Sequence, residues 1–191
     1  IICISFLISL IDQVSIPPSF HDIYWMSAAG KYIIKYGIPY QNVFIQNQSL
    51  QIVLQSVPVY ILNYFLESKF GFIGLYLVAG LFVGIIFFIL LKLFKLITHL
   101  TYEKRLLFSF IFTLSMILSL NLRPTIFTII LSLIQIYIME YYVLHKNNKI
   151  LFLLPLISFI EINLHASLWI IHFILLLPYV VPSIKNPFMY L

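Results

Sequence analysis

The chain has 191 residues, of which 62% are hydrophobic and only 9% charged, and its mean hydropathy is +1.07; globular domains carry roughly 25% charged residues, so an ordinary soluble domain is excluded. The net charge of +5 is scattered along the flanks of apolar runs, which makes it a signal of membrane topology and not a nucleic-acid surface. A single cysteine, Cys3, excludes an intrachain disulfide and a thiolate metal site.

The chain begins at Ile1, and the apolar stretch before Asp12 is shorter than the ~20 residues a spanning helix needs. Residues 1–12 therefore read as a truncated first transmembrane helix. The Asn186-Pro187-Phe188 end also lacks terminal character, so the expectation is a piece of a longer polytopic protein. Residues 13–70 form a long connection with two amphipathic helices. The first covers 22–36, opened by Asp22 and stopped by Gly37 and Pro39. The second covers 50–65, with Leu50, Val53, Leu54, Val57, Ile61, Tyr64 and Phe65 at helical spacing and Pro58 expected to kink or interrupt it. Pro17-Pro18 and Gln46-Asn47-Gln48-Ser49 are the hinges around them. Both helices are expected to lie in the membrane interface.

Residues 71–191 read as a transmembrane bundle. The uncharged run 71–91 is long enough to cross a bilayer of about 30 Å, and further apolar runs cover 106–122, 125–139, 150–160 and 166–184. With the truncated first run this makes six candidate spans, an all-α polytopic membrane protein. Lys92, Lys95, Lys104, Arg105, Lys146, Lys149 and Lys185 fall in alternate connections and supply seven of the eleven Lys and Arg. The positive-inside rule makes those connections cytoplasmic. The 13–70 segment, the Arg123 turn and the Asn163–His165 turn then face out.

Three polar islands lie on that outer side. His21-Asp22 opens the first interfacial helix, with Trp25 close behind. A carboxylate there is either a helix-start group favoured by the macrodipole or a general base. Arg123, followed by Pro124, is either a snorkelling cation or a bidentate clamp on a phosphate, with Pro124 suited to a helix start. Glu161-x-Asn163-x-His165 places ionisable groups at membrane depth, where they are functional hypotheses by default; the plain alternative is a Glu161–His165 hydrogen bond that ties two helix ends. Asn163 is equally a turn or capping residue. A turn near 163–166 is expected to take His172 off that face, so no metal site is assigned. His99, Glu103 and His145 read as solvated cytoplasmic flanks. A carboxylate, a guanidinium and an imidazole under one membrane face suit a phosphate-bearing lipid substrate.

His21-Asp22-Ile23-Tyr24-Trp25, Ala28-Ala29, Gly37-Ile38-Pro39 and Phe44 together resemble the first outer loop of the C-type (GT-C) membrane glycosyltransferases and their bacterial relatives, which share the architecture of protein O-mannosyltransferases and the aminoarabinose transferase of lipid A. Arg123-Pro124-x-x-Phe127 and Leu154-Pro155-Leu156 through Asn163-Leu164-His165-Ala166-Ser167 resemble two further blocks. The blocks cover roughly residues 20 to 182. The resemblance implies transfer of a sugar from a polyprenyl-phosphate donor to an acceptor outside a bacterial cytoplasmic membrane. By position, Asp22 would be the catalytic carboxylate, Arg123 a phosphate contact, and Asn163 and His165 site-lining residues. Membrane lipids are the other expected partners, nucleic acid is not one, and the sequence assigns no cofactor and leaves divalent-metal dependence open. Two positions depart from the pattern: Gln55 stands in a Trp-free second helix, and Ala166-Ser167 replaces a pair of glycines. These keep a non-catalytic membrane protein of the same fold, such as an envelope assembly subunit, as the alternative. A transporter segment is disfavoured by the absence of charge in the central halves of 71–91 and 166–184.

Overall fold

A computed structural model describes residues 21–41, 43–44, 54–117 and 123–185. The described chain is helical. Its α-helices are α1 (His21–Tyr36), α2 (Val57–Ile97), α3 (Tyr102–Ile117), α4 (Pro124–His145), α5 (Leu153–Leu164) and α6 (Ile171–Lys185), with short 3₁₀ turns at Asn148–Phe152 and Ala166–Leu168. The expected first span at 1–12, both hinge segments and residues 50–53 lie outside the described residues. The chain forms two compact units, Ile1–Gly80 with Asn121–Arg123, and Leu81–Leu120 with Pro124–Leu191.

In the first unit α1 stops where its sequence says it should. Gly37 takes φ 84°, a left-handed conformation natural to glycine, and its N–H closes the helix onto Ile33 O at 2.9 Å. Ile23, Met26, Ala29 and Ile33 turn inward at helical spacing, and α1 meets the first turns of α2. Three contacts define that pairing: Ser27 donates to Glu67, Asn63 Nδ2 approaches Met26 Sδ at 3.9 Å, and Gly30 lies against Tyr60. Tyr24 meets Phe72, Ser27 meets Glu67 and Gly30 meets Tyr60, so the helices are antiparallel. A Cβ on Gly30 would come within 2.0 Å of the Tyr60 carbonyl oxygen. Only glycine allows this approach.

Two expectations for the second helix are corrected. Residues 54–56 of the expected 50–65 helix are not helical, so that run is interrupted beside Pro58 and α2 starts at Val57. Pro58 occupies the second position of α2, where a missing N–H costs nothing, and the Ser56 carbonyl accepts the opening bonds from Val59 and Tyr60. A further break falls at Gly71, whose φ 62°, ψ −161° belongs to a region reserved for glycine. The buried face also differs: Val59, Tyr60, Asn63 and Leu66 are inside, while Phe65 is 50% exposed.

Six spans are not supported by the described residues, which leave out the expected first span. Among the described residues two helices are long and apolar enough to cross a membrane, α2 with 41 residues and α4 with 22. α5, with 12 residues, is only about 18 Å long at 1.5 Å per residue, and the described parts of α3 and α6 have 16 and 15 residues. The reason is local. Apolar runs measure composition, but 3₁₀ turns and the non-helical His165 (φ −153°, ψ 69°) divide those runs into shorter helices. Along α2, Ile73 and Leu77 in the first unit, and Leu81, Ile85 and Phe88 in the second, are exposed.

In the second unit α4 packs on α5, α6 and the 3₁₀ turn at 148–152. Leu131, Ile138 and Ile157 form its buried core, with Ile134, Leu154 and Ile160 against them.

Candidate functional site

Asp22 lies in the first turn of α1, and Arg123 immediately precedes α4. Separated by a hundred positions in the chain, they meet: Arg123 Nη2 is 2.9 Å from Asp22 Oδ2, and the side chains are 39% and 61% exposed respectively. The two residues singled out as carboxylate and phosphate clamp thus form one ion pair. Arg123 Nε, buried, meets no acceptor, so the guanidinium retains a donor beyond the pair. His21 contributes the first residue of α1; its side chain lies outside the described residues. One turn on, Trp25 makes edge-to-face contacts with Phe44 at 6.0 Å and Tyr60 at 5.2 Å between centroids. Tyr32 also meets Phe44 edge-on, at 5.7 Å. Trp25 remains 38% exposed. The result is an aromatic surface on α1 that carries the Asp22–Arg123 pair at the helix start.

The second unit assembles its own polar group. α5 ends at Leu164, and the His165 N–H closes it onto Glu161 O at 2.7 Å, so the turn expected near 163–166 is present. Glu161 and His165 are not paired directly. Thr128 of α4 joins them, with Oγ1 at 2.5 Å from Glu161 Oε1 and 2.8 Å from His165 Nδ1. Asn163 stays apart from this group: it is exposed, and its Nδ2 donates to Phe159 O within α5 at 2.8 Å. His172, expected off the face, returns to it. The turn after α5 folds α6 back, and His172 Nε2 comes to 3.9 Å from Glu161 Oε2.

Thr128 and Gln135 of this group escaped the sequence reading, as did Ser132 beside them on α4. They stand at i, i+4 and i+7 on α4, hence on one face, and Gln135 holds His172 through its ring Nδ1 and its carbonyl oxygen. That polar spacing inside an apolar run was the available signal. Among the described residues no cluster of three or more His, Cys, Asp or Glu is arranged to hold a metal ion.

No family model, curated protein or solved structure matches this chain.

Proposed function

We propose that the chain is an integral membrane glycosyltransferase that moves a sugar from a polyprenyl-phosphate carrier to an acceptor on the extracytoplasmic face. The observation that carries this reading is the Asp22–Arg123 pair, a carboxylate and a guanidinium held 2.9 Å apart at a helix start. The exposed large apolar residues of α2 and two helices long enough to span support a membrane setting. Contact between Trp25 and Phe44 joins two residues of the block on which the family resemblance rests.

The chemistry follows from the pair. Arg123 exchanges its carboxylate partner for the donor phosphate, which its planar fork suits. Asp22, released, accepts the proton of the acceptor hydroxyl. The acceptor oxygen bonds to the anomeric carbon as the bond from that carbon to the phosphate oxygen breaks. The electron pair leaves on the phosphate, and Arg123 stabilises the charge that develops there. A half-exposed ion pair contributes only about 0–1 kcal/mol, so it opens readily.

Asp22→Asn tests the assignment. It removes the base while keeping a side chain of the same shape, and a general base contributes about 10²–10⁴-fold in rate. Transfer in reconstituted membranes should fall by that factor with insertion and abundance near wild type; retained transfer would reject the role. The same closed ion pair also favours a second reading, a non-catalytic membrane protein in which Asp22 and Arg123 only tie two segments. There the exchanged pair, Asp22→Arg with Arg123→Asp, preserves function. In an enzyme it restores abundance alone.

A further inference from the structure

The second unit holds buried polar side chains that the transfer chemistry does not use. Glu161 and His172 are 0% and 1% exposed. Glu161 Oε2 and His172 Nε2 face each other at 3.9 Å, and neither makes a hydrogen bond to another protein group.

The neighbours of His172 determine what that gap requires. Gln135 Nε2 donates to the His172 carbonyl oxygen at 2.7 Å. A carbonyl oxygen only accepts, so the amide oxygen is the atom turned to the ring. His172 Nδ1, bonded to Gln135 Oε1, must then carry a hydrogen, and a neutral ring presents a bare lone pair at Nε2. An ionised Glu161 presents lone pairs as well. Two acceptors would oppose each other in a site closed to solvent, where unsatisfied polar groups are costly. One proton resolves the conflict, as a carboxyl O–H donating to Nε2 or an imidazolium N–H donating to the carboxylate.

On the other side, Thr128 Oγ1 contacts both Glu161 Oε1 and His165 Nδ1 and has one hydrogen to give. When it donates to Oε1, His165 Nδ1–H donates to Oγ1. A proton taken from water at Nε2 makes His165 an imidazolium, and Nδ1 then yields its hydrogen to Oγ1 as Oγ1 yields its own to Oε1, which reverses both bonds. The carboxylate becomes a carboxylic acid, and turning about Cγ–Cδ presents the O–H to His172. The half-buried His165 is left neutral with its hydrogen on Nε2, and exchange with water returns it to the Nδ1–H form.

We propose that Glu161 and His172 form a buried binding site for a single exchangeable proton, loaded from His165 through Thr128. Ser132 Oγ, buried and without a partner, lies on the same face of α4. Other titratable groups on the helices packed here are Glu140 and Tyr179, bonded to each other at 2.6 Å, Tyr137, Tyr141, Tyr142 and His145 towards the end of α4, with Lys149 beyond, and Lys185 as the last residue of α6. The site is independent of the roles given to Asp22 and Arg123.

The test uses the full chain, labelled with ¹⁵N-histidine, in lipid nanodiscs, with infrared detection of carboxyl groups. At pH 7 His172 should carry hydrogen on Nδ1, and the pair should hold one proton, seen as a Glu161 carboxylic acid or a His172 imidazolium. Glu161→Gln, whose amide can still donate to Nε2, should stay folded and lose that proton. Thr128→Val should keep the proton but lose the fast phase of carboxyl protonation after a pH jump. A carboxylate beside a neutral His172, or a bare Nδ1, would overturn the site in the wild type alone, whatever the variants do. Wild-type kinetics in Thr128→Val would overturn the route. A stoichiometric metal ion that co-purifies with the wild type and is lost in Glu161→Gln would also overturn the proposal, since the gap would then take a metal cation.

Discussion

Arg123 offers five N–H donors in one plane, and Asp22 occupies only part of that fork. Lysine at this position keeps the charge and snorkels equally well but loses two-point contact with a phosphate. A hydrogen bond to a charged group is worth about 1.5–3 kcal/mol, so Arg123→Lys should need roughly ten- to a hundredfold more donor for half-maximal transfer, measured by donor titration at saturating acceptor. Unchanged donor dependence would reduce Arg123 to an interfacial anchor. Asp22→Asn moves donor binding the other way. Removing the carboxylate frees the guanidinium, so donor should bind at least as tightly while transfer is lost, a combination that a merely structural aspartate does not produce. These two residues were legible in the sequence because isolated charges stand out against apolar surroundings. Thr128 and Gln135 were not, since an uncharged polar residue within an apolar run shows its role only when the partner it bonds, Glu161 or His172, comes into view.

Among elements, the pairing of α1 with the start of α2 places Asp22 and Trp25, and it depends on Gly30. An added methyl at Gly30 would press on backbone, not on a yielding side chain. Overpacking of this kind costs about 1–3 kcal/mol. Gly30→Ala should therefore lower the thermal unfolding midpoint of the purified protein and reduce transfer by displacing α1; an unchanged midpoint would mean that α1 does not pack this closely. α1 itself was readable from Asp22 at one end and Gly37 with Pro39 at the other. The second helix was readable in period but not in phase. Asn63 and Ser56 lie inside, where Asn63 reaches Met26 Sδ and the Ser56 carbonyl starts α2. A count that admits only apolar residues to the buried face turns the helix the wrong way. Proline and glycine followed the same lesson: Pro58 is harmless in a first turn, and Gly71 bends the chain because its backbone conformation suits no other residue.

For the whole molecule, the lysines and arginines that cluster in alternate connections set the proposed orientation. Asn47→Cys and Asn148→Cys, each in a Cys3→Ser background, should label oppositely with an impermeant thiol reagent, position 47 from outside and position 148 only in inverted vesicles. The reverse pattern would place Asp22 on the cytoplasmic side. Helical class was legible from composition, whereas the number of spans was not, because hydropathy does not register the turns that shorten α5 and α6. The most direct measurement of the central claim is photocrosslinking of the protein in proteoliposomes with a diazirine-bearing polyprenyl phosphate, followed by mapping of the labelled peptides. Saturable labelling is expected in the peptides that contain Asp22 and Arg123, competed by unmodified polyprenyl phosphate and weakened in Arg123→Lys. Labelling that does not saturate, or that leaves both peptides unmarked, would contradict it.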